Sequence, residues 1–384
     1  MLTGSEKDKS KELLENILAI PTVNSIDNEG ELASFLADYF TKAGVPAQIH
    51  KIDAKHANVV ARLEGRNPDR TLVLNGHLDT VPYGDLNQWD SDPAQPVEKD
   101  GRIFGRGASD MKSGLAMLAF TLADFARRGV KPQSNCLLIG TCDEENGGMG
   151  ARQVLKDNLL KNPDLILIGE PTGNDLGIAQ KGCVWVKITV RGKTSHGAYP
   201  SEGINSVEHA SQICGKIKEF VEQDFDRILG GATAEITKII GGVAPNMVPD
   251  YCEAVMDIRT VTVHQHKCFL EDISRLLDDY LKENPGLEAG VEILNNRRAV
   301  AAQEDNGAVE LLSGIVQKET GKVPKQIGIN FFSDASIFTA RYPELPVFLF
   351  GPGEPELCHK LNESVMLEKY YDAISCLREF LNQF

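Results

Sequence analysis

The sequence is short of several things, and each shortage excludes a class of protein. None of its eight cysteines forms a Cys-x-x-Cys pair, and Cys136, Cys142, Cys183 and Cys252 lie inside apolar strand-like runs. There a thiol behaves as a small buried hydrophobe, so no disulfide framework is expected and the compartment reads as reducing. The segment Met1-Leu-Thr-Gly-Ser-Glu-Lys-Asp-Lys has no basic stretch followed by an apolar one, and no long uncharged apolar run follows. Neither export nor a membrane span is expected, and the protein should be cytoplasmic. Basic residues are outnumbered, 40 Lys+Arg against 55 Asp+Glu, for a net charge of −15 and a pI near 5.1. Nucleic acid or an anionic membrane would need a basic face, so neither is the expected partner. Gly105 and Gly107 suggest a phosphate loop, but the pattern is not Gly-x-Gly-x-x-Gly and no lysine follows at P-loop spacing. With no Gly-x-Ser-x-Gly elbow and no cysteine with an evident histidine partner, a serine or cysteine hydrolase is disfavoured too.

What is present is ordinary in bulk and specific in detail. The 384 residues are long enough for two domains, and 42% hydrophobic with 25% charged is usual for a globular protein. Four short apolar runs each end on a group able to bind metal. Thr71-Leu-Val-Leu-Asn-Gly leads to His77 and Asp79; Cys136-Leu-Leu-Ile-Gly-Thr-Cys142 leads to Asp143, Glu144 and Glu145. Leu165-Ile-Leu-Ile168 leads to Glu170, and Val347-Phe-Leu-Phe350 leads, after Gly-Pro-Gly and a short loop, to His359. Such runs read as strands buried on both faces, and the loops after them are where α/β proteins keep ligands. One such coincidence would mean only a solvated or capping residue. Four, with Asp110 following the Gly-rich loop, do not reduce to that.

Two imidazoles and several carboxylates suit divalent ions of the zinc, cobalt or manganese kind, which accept nitrogen and oxygen alike. The set is too large for one tetrahedral site, so two ions are expected. A pair about 3.5–4 Å apart needs a shared carboxylate, for which Asp110 is the natural candidate.

Gly76-His-Leu-Asp-Thr-Val-Pro82, Gly105-Arg-Gly-Ala-Ser-Asp-Met-Lys112, Asp143-Glu-Glu145, Gly169-Glu-Pro-Thr172 and Ser195-His-Gly-Ala-Tyr-Pro200 resemble the motif series of the M20 metallopeptidase family. The resemblance covers nearly the whole chain in the family's order. It is greatest to the acetylornithine deacetylase and succinyl-diaminopimelate desuccinylase branch. It implies that His77 and Glu170 hold one ion, Glu145 and His359 the other, and that Asp110 bridges them. Asp79 would orient His77 as its outer partner, and Glu144 would be the general base. The ions would be zinc, with cobalt or manganese as substitutes. A water activated between them would attack the amide of an N-acyl amino acid, releasing an acetyl or succinyl group. A dipeptidase or carboxypeptidase is the neighbouring alternative, since a dipeptide presents the same amide and carboxylate. A non-catalytic binding protein on this scaffold would be expected to have lost Glu144 or a ligand, and none is lost.

Around these motifs, Leu13, Leu14, Ile17 and Leu18 predict an amphipathic helix ending before Pro21, and a second runs from about Glu29 to Gly44. Val59–Leu63 and Leu72–Leu74 read as neighbouring strands joined by a Gly-Arg-Asn-Pro turn. Trp89 sits in a polar loop and either lines an entrance or covers the core edge. After Asp110 a helix of small residues runs to about Arg128.

From about residue 180 the pattern changes to strand, helix, strand, strand, helix, strand, at 183–191, roughly 203–224, 234–240, 251–261, roughly 267–283 and 288–294. That order matches a β-α-β-β-α-β sandwich with one open sheet face. The expected fold is therefore α/β: a mixed, mainly parallel sheet flanked by helices, formed by 1–180 and 295–384. An α+β ferredoxin-like lid or dimerisation domain, 181–294, is inserted into it. The resemblance implies a homodimer through this insert, a monomeric lid being the alternative, and a site spanning two domains implies a hinge near 180 and 294.

Within the insert the resemblance makes His196 an oxyanion donor, supplied by a partner subunit if the protein is dimeric, and places Asn246 and Arg259 at substrate-binding positions. Arg259 would clamp a substrate carboxylate in bidentate fashion, or pair with Asp257. His264 and His266 match nothing in the metal series and read as surface residues. Ser333 falls on the family's substrate-facing loop, where Phe331 and Phe332 either shape the pocket or join the core.

Overall fold

A computed structural model describes residues 1–301 and 306–384. The chain divides into two compact units: Met1–Ile178 with Gln303–Ile327 and Ser333–Phe384, and Ala179–Ala302 with Gly328–Phe332.

The first unit begins with helix Gly4–Leu18. The hydroxyl of Thr3 accepts the Glu6 N–H while the Glu6 carboxylate accepts the Thr3 N–H, a reciprocal capping box. Leu13, Leu14, Ile17 and Leu18 all face inward, as their spacing predicts. Helix Glu29–Lys42 follows, capped by Asn28 and closed by Gly44 in the left-handed region.

An eight-stranded sheet forms the centre of this fold. In spatial order it runs Ala47–Lys51, Ala57–Leu63, Ser134–Thr141, Asn67–His77, Leu165–Ile168, Val347–Leu349, Leu176–Gln180, Gln326–Ile329. The four strands beginning at Ser134, Asn67, Leu165 and Val347 are mutually parallel, so their C-terminal ends open on one edge. Every residue of Leu165–Ile168 and Val347–Leu349 is buried, as sheets covered on both faces require. The expected mixed, mainly parallel sheet with flanking helices is what the chain forms.

One pairing differs from the sequence expectation. Ala57–Leu63 and Asn67–His77 are not neighbours: Ser134–Thr141 lies between them, antiparallel to the first and parallel to the second. The link crosses the start of the inserted strand, with the Gly65 N–H on Asn135 Oδ1 at 3.0 Å and the Arg66 N–H on Pro132 O at 2.9 Å. A strand buried on both faces needs partners on both sides, and a short polar link does not dictate a hairpin.

Helix Lys112–Arg127 is buried along almost its whole length. A Cβ at Gly114 would lie 1.7 Å from Gly169 O, so only glycine allows the helix to approach the end of the Leu165 strand. Helix Leu367–Gln383 packs beside it. No described helix is long and apolar enough to cross a membrane.

The second unit has a four-stranded antiparallel sheet ordered Thr233–Gly241, Tyr251–Thr260, Gly182–Arg191, Glu288–Arg297. Helices Ser206–Val221 and Val263–Glu283 supply its core, packing Ile213, Ile217, Phe269 and Ile273 on Val186, Ile188, Met256 and Ile258. Each such side chain contributes about 1.5–3 kcal/mol when fully buried. His266, expected at the surface, is instead buried. It shares the inward face of its helix with Phe269, Ile273, Leu277 and Tyr280, and its ring nitrogens meet Thr260 Oγ1 at 3.0 Å and Asn296 Oδ1 at 2.6 Å. His264, in the first turn of the same helix, is exposed.

Candidate metal centre

The open edge of the parallel strands gathers the candidate ligands. His77 ends its strand with Nδ1 turned to the backbone carbonyl of Asp79 at 2.9 Å and to Asp79 Oδ1 at 3.5 Å. Its Nε2 is left facing Asp110 Oδ1 at 3.1 Å. The second oxygen of Asp110 lies 3.2 Å from His359 Nε2, which is also 3.1 Å from Glu145 Oε1. One carboxylate therefore stands between two imidazoles, an oxygen to each. Ligand atoms of His77, Asp110 and Glu145 all lie within 4.8 Å of one another. Glu170, one residue beyond the Gly169 that Gly114 packs on, is 2% exposed.

The electrostatics of this group are those of a cation site. Burial would raise Asp110, but the hydrogen-bonded imidazoles of His359 and His77 hold it well below the carboxylate range. Burial would lower His77, yet Asp110 and Asp79 lift it well above the usual imidazole value. The carboxylates of Asp110 and Glu145 push His359 up to about 11. Burial, with the negative Asp110 nearby, drives Glu170 well above its ordinary value and raises Glu145 as well. Two imidazoles and three carboxylates converging with an excess of negative charge fit borderline divalent ions.

Behind the ligands lies a second layer of buried polar groups. The carboxylate of Asp79, fully buried, accepts the backbone N–H of Glu144 through Oδ1 and of Glu145 through Oδ2, each at 3.0 Å. Asn24 Nδ2 donates to the same Oδ2 at 2.9 Å. Glu29 Oε2 accepts the N–H of Asp143 at 2.8 Å, steadying a residue whose φ is +59°. Burial, reinforced by Asp79, pushes the Glu29 carboxyl up to about 9. On the other side Glu363 Oε1 accepts the N–H groups of Ser109 and Asp110 at 2.8 and 2.9 Å, while Oε2 pairs with Arg106 at 2.6 Å. Lys112 is buried with Nζ on Ile20 O at 2.7 Å, and burial lowers it to about 7.

Sequence reasoning missed Asn24, Glu29 and Glu363. Glu29 looks like an ordinary acidic residue in the first turn of a helix. The signal for Glu363 was indirect: Arg106, between two glycines and close to Asp110, needed an anion.

Trp89 covers the core: it is 9% exposed, its Nε1–H donates to Tyr83 O at 2.8 Å, and the Arg106 guanidinium sits 5.1 Å from its ring. Ser333 is fully buried below helix Ala335–Arg341, its Oγ accepting the Ala335 N–H at 3.3 Å. In the second unit, Ser195–His196 pairs with Met247–Val248, and the Gly197 N–H donates to Asn246 O at 2.7 Å, so His196 and exposed Asn246 share one loop cluster. His196 Nδ1 accepts the Ala198 N–H at 3.1 Å, which puts the proton of the neutral ring on Nε2. Arg259 pairs with Asp257, one of the two partners weighed for it. Its Nε and Nη2 donate to both oxygens of Asp257 at 2.7 and 2.8 Å, because residues two apart share one face of a strand.

The model of peptidase family M20/M25/M40 matches residues 73–383. The chain is 29% identical over 415 residues to a probable succinyl-diaminopimelate desuccinylase of Staphylococcus aureus (strain N315), covering 100% of this chain and 99% of that protein. Its fold resembles that of an M20 family metallo-carboxypeptidase from Sulfolobus solfataricus, with a TM-score of 0.81 at 20% identity and coverage of 98% and 99%. It also resembles a dinuclear metal-binding peptidase of the M20 family from Bacillus subtilis, with a TM-score of 0.75 at 16% identity and coverage of 99% and 98%.

Proposed function

The chain belongs to peptidase family M20/M25/M40 and is an amide-hydrolysing enzyme, and from that premise we propose that it removes an acetyl or succinyl group from an N-acyl amino acid. The observation that carries the chemistry is Asp110 set between His77 and His359, with Glu144 beside the candidate ligand Glu145. In this reading His77 and Glu170 would hold one divalent ion and Glu145 and His359 a second, with Asp110 serving both; zinc would be the expected metal, with cobalt or manganese as substitutes. Bound there, such ions supply Lewis acidity to the scissile carbonyl and lower the pKa of a water.

The side chains do the rest. Glu144 takes the proton of the attacking water and returns it to the departing amine, so no covalent enzyme intermediate is required. Asp79 keeps Glu144 and Glu145 in register through their backbone N–H groups and fixes the His77 ring. His196 offers Nε2–H to the oxyanion of the tetrahedral species. Asn246, in the same loop cluster, is a polar contact for the substrate. For Arg259 to hold a substrate carboxylate, it would have to release Asp257.

The name of the staphylococcal relative supports the succinyl substrate, and that of the Sulfolobus protein supports a second reading as a carboxypeptidase, to which a dipeptidase is the neighbouring activity. The test is amine release by metal-loaded protein from N-acetyl, N-formyl and N-succinyl amino acids and from dipeptides, with Glu144→Ala as blank. Turnover of one acylated class with a silent variant supports the deacylase; cleavage of dipeptides alone supports the peptidase.

The same reading makes the protein a cytoplasmic homodimer joined through the second unit. Eight free cysteines support the compartment. The outer strand Thr233–Gly241, with Ile236, Ile239 and Ile240 exposed, supports the dimer.

A further inference from the structure

We propose that Glu363 is a positioning residue that fastens the loop carrying His359 to the bridging carboxylate Asp110, so that the two ions bind as a coupled pair. The inference rests on the reading of Asp110 and His359 as ligands.

Glu363 is fully buried and lies four residues beyond His359. Its Oε1 accepts two successive backbone N–H groups, Ser109 at 2.8 Å and Asp110 at 2.9 Å. Its own carbonyl accepts the N–H of Gly105 at 2.9 Å, so side chain and main chain both grip the Gly105–Asp110 turn. The other carboxylate oxygen meets Arg106 Nη1 at 2.6 Å, and that same nitrogen donates to Lys360 O at 3.1 Å, next to His359. Ser109 adds a further stitch, donating from Oγ to Ser364 O at 2.9 Å and accepting the Glu354 N–H at 3.0 Å.

A carboxylate that takes two adjacent N–H groups fixes the orientation of that peptide segment, and with it the direction in which the Asp110 side chain leaves the chain. Because the same carboxylate belongs to the His359 loop, the backbone of Asp110 cannot shift without moving the loop that carries His359. A hydrogen-bonding group of this kind behind a ligand changes metal affinity by about 10–100-fold when removed.

The test is calorimetric titration of chelated, full-length protein with Zn2+ alone, on the parent, Glu363→Ala, Glu363→Gln and the control Glu354→Gln. Glu354 lies in the same loop, but its carboxylate pairs with Arg102 and Lys369, and its contact with Ser109 runs through the backbone N–H, which the substitution leaves in place. The parent should take up two ions. Glu363→Ala should weaken the second by about 10–100-fold and lose the coupling between them. Glu363→Gln, which keeps an oxygen for both N–H groups but not the charge facing Arg106, should fall between Glu363→Ala and the parent. Glu354→Gln should bind as the parent does, even where its melting temperature drops. Parent-like affinities in either Glu363 variant that remains folded by circular dichroism overturn the proposal, as does an equal loss in Glu354→Gln. A parent that binds fewer than two ions overturns the two-ion reading instead.

Discussion

The carboxylate of Asp79 holds the backbone of Glu144: Oδ1 accepts the Glu144 N–H at 3.0 Å, while Oδ2 does the same for Glu145. Asp79 therefore serves two parts of the site at once. The group that orients the His77 ring also sets the turn from which Glu144 and Glu145 project. Asp79→Asn replaces one acceptor oxygen by an amide that clashes with the N–H it faces. Zinc affinity should fall by about 10–100-fold, and kcat should fall further than the metal loss accounts for. Glu144→Ala should behave differently, losing about 10²–10⁴ in kcat with zinc binding intact. Parallel metal titrations and kinetics on both variants separate the roles.

Metal loading should release protons. His359 is pushed up to about 11 by Asp110 and Glu145, and His77 is held well above the imidazole range, so both rings carry a proton near neutrality without metal. Coordination requires the neutral ring, so adding Zn2+ to chelated protein near pH 7 should release about two protons, one from each imidazole. A weakly buffered pH-stat titration measures the release, and binding without proton release would mean that the two imidazoles are already neutral before metal arrives. Chelation should abolish amide hydrolysis, and zinc, cobalt or manganese should restore it.

Glu29 gives a pH dependence of defined sign. Burial raises its carboxyl from an ordinary 4.5 to about 9, so the folded protein keeps a proton that the unfolded chain has already lost. The stability it contributes is complete below the unfolded value and declines as pH rises toward the folded one. Glu29→Gln stays neutral throughout and still has an oxygen for the Asp143 N–H. Its melting temperature relative to the parent should therefore improve from about pH 5 to about pH 9. A difference that does not change across that range would rule out a buried, protonated Glu29.

The outer strand of the second unit can be tested with a charge. Ile240 is 55% exposed on the edge strand Thr233–Gly241. If that edge joins two copies, Ile240→Lys should convert a dimer to a monomer in sedimentation without lowering the melting temperature of a monomeric reference. An unchanged mass would place any interface elsewhere.

Some of this was legible in the sequence. The four apolar runs form the parallel strands, and they bring His77, Glu145, Glu170 and His359 to one edge with Asp110, because a buried strand must end where its polar neighbours begin. The order of strands was not legible at Ala57–Leu63, since an apolar run carries no label for its partner. The second layer was hidden for a related reason. A glutamate such as Glu29 or Glu363 looks the same on paper whether it faces water or holds two N–H groups in the interior. His266 was within reach, since it shares a helical face with Phe269, Ile273, Leu277 and Tyr280, but the polar run Val-His-Gln-His-Lys concealed the spacing. Arg259 was open between two partners in the sequence, and its pairing with Asp257 depends on a rotamer that the sequence does not specify.

The clasp at Glu363 also bears on how the molecule is made. Residues 179–302, most of the second unit, leave the ribosome before His359 and Glu363 do. The first unit by then has His77, Asp110, Glu145 and Glu170, but lacks the carboxylate that takes the Ser109 and Asp110 N–H groups and the last helix that packs beside Lys112–Arg127. A chain halted before residue 359 would present His77, Glu145 and Glu170 beside an Asp110 turn without its Glu363 fastening. The candidate metal centre is thus completed late in synthesis, and an incomplete copy should be poor at retaining metal and easily degraded.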